Sequence, residues 1–250
     1  MKVSLGQGDI ATLKVTLRFK MVPKFIYEDN HILVLEKYPG LLSQGDNTGH
    51  PNLMDIVKKY LKEKYNKPGD VYLGLLQRYD RPVGGIMVMA KTSKAFTRLH
   101  DQIKYRKVDK YYLAVTRVAP PQKSGELLHY LVKDESANKT AVYDEPIQGS
   151  KDARLFYEYL GEKQGKCLLR IKLITGRSHQ IRAQLAHIGC PLVGDVKYGN
   201  SLPKPAYDLC LYAYKIGFEH PVLKERMEFV HFPKIMGCWE GMDEFFEEIS

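Results

Sequence analysis

The sequence contains little cysteine and no long apolar run. Its 250 residues include four scattered cysteines, with no Cys-x-x-Cys pair among Cys167, Cys190, Cys210 and Cys238. Zinc sites usually need closer ligands, so we expect reduced, buried thiols and no metal. No stretch reaches the roughly 18 apolar residues of a membrane span, and the N-terminus lacks the compact apolar segment of a signal peptide. We therefore expect a cytoplasmic protein without a membrane partner.

Acidic residues are outnumbered by basic ones, 29 Asp and Glu against 38 Lys and Arg, which gives a net charge of +9. Such an excess favours a polyanionic partner, although many basic proteins bind no nucleic acid. The composition of 44% hydrophobic and 27% charged residues is that of a globular chain and excludes fibrous or disordered classes. The length fits one large domain or two small ones.

The pattern of apolar residues predicts more strands than helices. Residues 1–21 are expected to form a short leader, and residues 22–250 a single domain without internal linkers. Strands are predicted at 25–27, 32–35, 85–90, 111–118, 155–160, 167–174 and 209–218. Two helices are predicted to begin at the N-caps Asn52 and Ser93. Two more are predicted from Ser178 to Ile188 and at 242–249. Because the two types do not alternate, we predict an α+β domain on a mixed, mainly antiparallel sheet flanked by helices and loops.

One segment whose residues could take part in catalysis or binding precedes the strand at 85–90. It reads Leu-Gln-Arg-Tyr-Asp-Arg-Pro-Val-Gly-Gly from Leu76 to Gly85. The paired glycines would let the backbone of this turn approach a ligand closely. The arginines on either side of Asp80 favour its ionised form. Taken alone, the segment also fits a turn held by salt bridges.

A second segment runs from Thr175 through Gly-Arg-Ser-His-Gln-Ile-Arg to Asp195. Ser178 is placed to cap a helix, and Arg177 stands beside the positive end of that helix, where anions bind well. His179 and Arg182 are three residues apart and can point at one site. Taken alone, this segment also fits a capped surface helix.

Together the two segments resemble the RluA family of pseudouridine synthases. The family motif His-Arg-Leu-Asp followed by Thr-Ser-Gly appears as 77–80 and 83–85, with Gln77 in place of His and Val83-Gly84 in place of Thr-Ser. The family motif Gly-Arg-Thr/Ser-His-Gln-Ile/Leu-Arg matches 176–182 without a gap, and residues 185–195 continue the match. The resemblance covers about residues 23–233. Only some twenty residues precede it, too few for the S4-type RNA-binding module that the family often carries.

The resemblance implies an isomerase that converts uridine in structured rRNA or tRNA to pseudouridine, without a cofactor or an obligatory protein partner. It assigns the nucleophile role to Asp80, charge pairing with this carboxylate to Arg182, and stacking on the target base to Tyr112. Contacts to RNA are expected from Arg78, Arg81, Lys107, Lys110, Arg177, His179 and Gln180.

Two other functions remain open from the residues. A non-catalytic RNA-binding or RNA-remodelling protein could retain the same pocket. A glycoside hydrolase would need a second acid placed across the bond from Asp80, and neither segment offers one.

Overall fold

The computed structural model describes residues 23–46, 48–199 and 208–249; the predicted leader at 1–21 lies outside the described residues. The strands are β1 Phe25–Glu28, β2 Ile32–Lys37, β3 Gly74–Leu75, β4 Gly84–Ala90, β5 Asp109–Thr116, β6 Ser124–Asp134, β7 Lys139–Tyr143, β8 Lys151–Lys163, β9 Lys166–Leu173, β10 Leu211–Glu219 and β11 Arg226–Val230. The α-helices are α1 Leu53–Lys64, α2 Ser93–Lys104, α3 Gln180–His187 and α4 Asp243–Glu248, with a 3₁₀ turn at Gly237–Trp239.

All eleven strands form one sheet in the order β1-β2-β4-β10-β5-β9-β8-β6-β7, with β3 on β4 and β11 on β10. Among the described strands, β4 and β10 pair in parallel, whereas the other strand pairs are antiparallel. The predicted α+β class with a mixed, mainly antiparallel sheet is therefore confirmed. The parallel pair matters for function because it places the start of β4 beside the start of β10.

The hydrophobic core lies on both faces of this sheet. One face is covered by the apolar sides of α1 and α3, through residues such as Val57 and Leu185. On the other face the C-terminal segment packs through Met242 and Phe246. Because side chains alternate along a strand, β5 sends Tyr112 to the first face and Leu113 to the second. The functional residues described below lie on the first face.

Helix starts agree with the sequence in one of three cases. The Asn52 side chain accepts a hydrogen bond from the Asp55 amide at 3.1 Å, as expected. Helix α2 is capped by Thr92 instead of the predicted Ser93. The predicted Ser178 cap of α3 is wrong, because His179 occupies that position in a left-handed conformation, with φ 53°, and makes no side-chain cap.

The hairpin formed by β6 and β7 was not predicted. Along β6, Leu127, His129 and Leu131 are buried, whereas Leu128 is exposed and Tyr130 and Val132 are half-buried. This alternation of burial is the normal pattern of a half-exposed antiparallel strand. The sequence does not show it, because Leu128 and Val132 on the outer face are apolar and His129 on the inner face is polar. The hairpin covers α3 and so supports the helix that carries Arg182.

The expectation of four reduced thiols is wrong for one pair. Cys210 and Cys238 form a disulfide with their Cα atoms 6.2 Å apart, whereas Cys167 and Cys190 are free and buried. The two bonded residues are 28 positions apart, and only the packing of the 3₁₀ turn on β10 brings them together. Within the described ranges, no helix has the length and apolar character needed to cross a membrane.

Candidate active site

The loop that carries Asp80 connects β3 to β4 and is bound to the segment that follows β2. The Ser43 hydroxyl donates to the Tyr79 carbonyl at 3.0 Å and accepts from the Tyr79 amide at 3.1 Å. The Gly40 amide donates to the Arg81 carbonyl at 2.8 Å, and Arg81 Nε donates back to the Gly40 carbonyl at 3.0 Å. The backbone on both sides of Asp80 is therefore fixed.

A buried lysine gives this loop a second support. Lys37 is fully buried, and its Nζ donates to the Val83 carbonyl at 2.6 Å and the Arg81 carbonyl at 3.2 Å. The carbonyls of Tyr38 and Asp80 lie at 3.4 and 3.5 Å. Burial lowers the pKa of Lys37 to about 7, although the charge of Asp80 acts in the opposite direction. Because an ammonium offers three donors, protonated Lys37 can bind several carbonyls at once and so stabilises the loop.

The paired glycines after the loop serve packing within the protein. Gly85 has φ +131°, and a Cβ at this position would lie 2.3 Å from the Ala213 carbonyl oxygen of β10. A Cβ on Gly84 would lie 2.9 Å from Pro39. The expectation that these glycines let the backbone approach a ligand is therefore wrong, since the space beside them is filled by β10 and Pro39.

Arg182, on α3, joins two carboxylates. Its Nη1 donates to Asp80 Oδ2 at 2.9 Å, and its Nε and Nη2 each donate to an oxygen of Asp195 at 2.8 Å. The Asp195 side chain is fully buried and also accepts from the amides of Lys197 and Tyr198. Burial alone disfavours the charged guanidinium, but the hydrogen bonds that it donates to Asp195 and then to Asp80 raise the pKa of Arg182. The arginine therefore stays charged beside Asp80.

His179 lies next to the same carboxylate. Its Nε2 is 3.6 Å from Asp80 Oδ2, and its Nδ1 is 2.8 Å from the Tyr198 hydroxyl. That hydroxyl already accepts the Thr140 amide at 2.7 Å, so its own proton can go to Nδ1, and the imidazole proton then faces Asp80. Burial lowers the pKa of His179, so the ring is neutral at pH 7. His179 and Arg182 thus converge on one group, as their spacing indicated.

Tyr112 and Lys110 extend from β5 towards Asp80 on the same side of the strand. Tyr112 is buried and its ring lies edge-on to Tyr79, with centroids 6.1 Å apart. Burial raises the pKa of Tyr112, which keeps its hydroxyl neutral. Burial, followed by repulsion from Arg106, lowers the pKa of Lys110 to about 8.

These groups line a cleft of about 430 Å³ between the loop and α3. The predicted site residues in its walls are Arg78, Asp80, Lys110, Tyr112, Arg177, His179, Gln180 and Arg182. Arg81 and Lys107 are not among the lining residues. Arg81 instead supports the loop through Gly40, as described above. Asp80 is thus the one acidic residue among the cationic side chains that line this cleft.

Two of the lining residues make their contacts within the protein. Arg177 Nε donates to the Asp152 carbonyl at 2.8 Å and its Nη2 to the Asp152 carboxylate at 2.7 Å. Gln180 is buried, and its Oε1 accepts from the Thr175 hydroxyl at 2.8 Å and the Arg177 amide at 3.0 Å. We therefore assign Gln180 to bracing the start of α3, in place of the contact with RNA expected from the sequence.

Sequence reasoning did not assign a role to three residues that hold the site. Asp195 closes the matched motif and Tyr198 follows it closely, but nothing in their spacing shows that one binds Arg182 and the other His179. Lys37 gave a weak signal, because a lysine at the end of the buried strand β2 either extends its ammonium group to solvent or meets buried acceptors.

One group of His, Cys, Asp or Glu side chains in the described residues is compact enough to hold a metal: His129, Asp144 and His187. Asp144 Oδ1 lies 2.9 Å from His187 Nε2 and 3.6 Å from His129 Nε2. The amide nitrogen of Gln184 faces His129 Nδ1 at 2.9 Å, and its contact with the Leu127 carbonyl fixes it as a donor. A metal on His129 Nε2 would require a proton on Nδ1 opposite this donor. These three side chains therefore fit a hydrogen-bonded cluster better than a metal site.

Comparison with known proteins gives a family match over most of this region. The family model described as RNA pseudouridylate synthase matches residues 31–187, which include Asp80, Tyr112 and Arg182. A relative named ribosomal large subunit pseudouridine synthase D, from Xanthomonas campestris, is 35% identical over 211 residues. These cover 82% of this chain and 61% of that relative.

A relative named uncharacterized RNA pseudouridine synthase, from Aquifex aeolicus, is 33% identical over 225 residues, covering 82% of this chain and 67% of that relative. Among solved structures, human RNA pseudouridylate synthase domain containing 4 superposes with a TM-score of 0.71 at 21% identity. The superposition covers 92% of this chain and 94% of that one. At this identity the structural likeness establishes the fold.

Proposed function

The chain belongs to the RNA pseudouridylate synthase family, in its RluA type, and we propose that it isomerises uridine to pseudouridine in large-subunit ribosomal RNA, with Asp80 as the reacting carboxylate. The observation that carries this proposal is the 2.9 Å ion pair between Asp80 and Arg182 in the lining of the cleft. The choice of ribosomal RNA rests on the names of relatives such as the Xanthomonas campestris protein. Location in the cytoplasm, expected from the sequence, stays a prediction.

The proposed reaction needs only groups that the cleft supplies. The N1–C1′ bond breaks, the base turns, C5 joins C1′, and C5 then gives up its proton while N1 gains one. No outside atom or electron is consumed. A carboxylate can attack C1′, remove the proton at C2′ or stabilise positive charge on the sugar, and the geometry is compatible with each of these roles for Asp80.

The surroundings of Asp80 support a fixed, ionised carboxylate. Arg182 is held by both oxygens of Asp195, so it cannot follow Asp80 if that side chain moves. Such a preorganised charge costs no reorganisation during the reaction. His179 places a neutral ring 3.6 Å from the same carboxylate, beyond hydrogen-bonding distance, and so adds no second full charge beside Asp80.

Tyr112 forms the wall on which the target base would stack. The base must first leave the RNA stack, at a cost of a few kcal/mol, and the cleft of about 430 Å³ has room for a nucleotide. Arg78 and Lys110 line this cleft and would hold the neighbouring phosphates, which set affinity more than sequence choice. Lys107, Arg81 and the ion-paired Arg177 remain proposals for weaker contacts at its edge.

Mapping of pseudouridines in cellular RNA tests the function. RNA would be sequenced from cells lacking the gene and from the same cells expressing the wild type or Asp80→Asn. We expect one or a few large-subunit rRNA positions to lose pseudouridine on deletion and to regain it with the wild type alone. Loss confined to tRNA would refute the choice of RNA. Restoration by Asp80→Asn would refute the role of Asp80, and an unchanged map would favour a non-catalytic RNA-binding protein.

A further inference from the structure

Two arginines that line the cleft bind one carboxylate that lies outside its lining. Asp152, near the start of β8, accepts at Oδ1 from Arg177 Nη2 at 2.7 Å and at Oδ2 from Arg106 Nη2 at 3.1 Å. Arg106 and Arg177 are among the lining residues, whereas Asp152 is not. Burial alone would raise the pKa of Asp152, but its contacts with Arg177 and then with Arg106 lower it. The two arginines therefore share a charged carboxylate.

Arg106 has a backbone conformation that is normally left to glycine. It follows α2 with φ 57°. Its amide donates to the Ile103 carbonyl at 3.0 Å, and the amide of Lys107 donates to the Gln102 carbonyl at 2.8 Å. This pair of bonds closes a helix end through a left-handed residue, where glycine is favoured because it has no Cβ. An arginine here carries a backbone cost, and such outliers often mark a side chain with a function.

The backbone around both arginines is held without the Asp152 carboxylate. Arg177 Nε donates to the backbone carbonyl of Asp152 at 2.8 Å, and the Arg177 amide donates to Gln180 Oε1 at 3.0 Å. Arg106 is held by the two bonds at the helix end. The side chains of Asp152 and Arg106 are 44% and 50% exposed, and ion pairs at such exposure contribute little to stability. The carboxylate can therefore leave the arginines at a small cost.

We propose that Arg106 and Arg177 form a subsite for a backbone phosphate of the RNA near the target uridine, and that Asp152 occupies this subsite until the RNA displaces it. A guanidinium binds carboxylate and phosphate through the same arrangement of N–H donors, so the Asp152 carboxylate stands in for the phosphate in the free protein. The proposal rests on the function proposed above, since it takes RNA as the ligand.

Removal of the carboxylate tests this competition. Asp152→Asn preserves the size of the side chain and the backbone carbonyl that binds Arg177. In titrations with a fluorescently labelled fragment of large-subunit rRNA, we expect this variant to bind about three- to tenfold more tightly than the wild type, because the phosphate no longer competes with an anion. The slope of log affinity against log salt should become steeper by up to about one charge, since no displaced carboxylate takes up a cation.

Glu158→Gln is the matched control. It also removes one negative charge from an ion pair, that with Arg170, and the exposure of this pair is similar to that of Asp152 and Arg177. Neither Glu158 nor Arg170 lines the cleft. We expect the dissociation constant of Glu158→Gln to differ from that of the wild type by less than about twofold.

Substitution of Arg106 separates a phosphate subsite from a structural bridge. Arg106→Gly removes the guanidinium and places glycine at the left-handed position. RNA affinity should therefore fall about three- to tenfold while the melting temperature stays the same or rises. In this background, Asp152→Asn should increase the affinity less than it does in the wild type. A lower melting temperature with unchanged RNA affinity would identify a structural bridge and overturn the proposal.

The outcomes also separate this proposal from the function on which it rests. RNA binding by Asp152→Asn that is unchanged or weaker, or a gain no larger than that of Glu158→Gln, would overturn the proposal even if the wild type forms pseudouridine. If Asp152→Asn binds more tightly as expected but the wild type forms no pseudouridine, the proposed function would fail and the subsite would stand.

Discussion

The loop that carries Asp80 and the helix that carries Arg182 are held in place by different kinds of contact. The loop is held largely through its backbone: Ser43 and Lys37 bind its carbonyls and one of its amides. The helix is held through side chains, with Arg182 between two carboxylates and His179 on Tyr198. Contacts to backbone atoms tolerate changes of side chain, which explains why the departures from the family motif fall in the loop and the gapless match falls at the start of the helix.

Apart from the loss of the Asp80 carboxylate itself, the largest effect is expected on the helix side of this comparison. Arg182→Lys keeps a positive charge, but one ammonium cannot reproduce the fork that reaches Asp80 and both oxygens of Asp195. We expect the single-turnover rate to fall by about a hundredfold or more. Arg177→Lys, which alters the arginine bound to Asp152 at the rim, is the matched control and should change the rate by no more than a few fold. Equal losses in the two variants would contradict the proposed pairing.

On the loop side, Lys37→Met should lower the rate by about tenfold, because a small misplacement of Asp80 is sufficient for such a loss. Lys91→Met is the control: Lys91 is also largely buried and binds Glu28 at 2.7 Å, but it is not among the residues that line the cleft. It should destabilise the protein and spare the rate. Normal turnover in Lys37→Met would show that the contacts of Lys37 with the loop carbonyls do not position Asp80.

The same variant gives a pH test of stability. The pKa of Lys37 is lowered from 10.5 to about 7 in the folded protein, so between these values the unfolded chain binds more protons than the folded one. The free energy of unfolding of the wild type, relative to Lys37→Met, should therefore rise as the pH increases from about 7 to 10.5. Chemical denaturation at several pH values measures this, and a difference that is constant or falls with pH would contradict the assignment.

A smaller effect is expected for Lys110, which faces the cleft with its pKa lowered to about 8. Its ammonium form prevails below that pH, so RNA affinity should weaken as the pH rises from 7 to 9. Lys110→Arg keeps its charge throughout and should remove this part of the pH dependence. Fluorescence titrations of both proteins with one RNA at several pH values would show it. Parallel pH curves for the two proteins would mean that Lys110 does not contact the RNA.

The smallest expected effect concerns Lys107, outside the cleft. If it contacts a phosphate, Lys107→Ala should make the slope of log affinity against log salt shallower by roughly one charge, without changing the single-turnover rate. Lys58→Ala, on the solvent side of α1, is the control and should leave the slope unchanged. An unaltered slope in Lys107→Ala would remove this residue from the RNA path.

Sequence reasoning was most successful where the determinant is local. The apolar stripes of α1 and α3, the cap at Asn52 and the approach of His179 and Arg182 all follow from helical spacing. Apart from the caps predicted at Ser93 and Ser178, it failed where the determinant is a distant contact. The disulfide between Cys210 and Cys238, the support of Asp195 for Arg182 and the close packing at Gly85 each depend on elements that only the folded sheet brings together.

The measurement that tests the central claim most directly is single-turnover tritium release by purified Asp80→Asn on RNA that the wild type modifies. Asparagine preserves the size of the side chain and removes its charge, so the variant should bind RNA with nearly unchanged affinity. We expect tritium release to fall by about a thousandfold or more, because the variant lacks the reacting carboxylate and no other group in the cleft can replace it. Release near the wild-type rate, with binding intact, would show that Asp80 is not the reacting carboxylate.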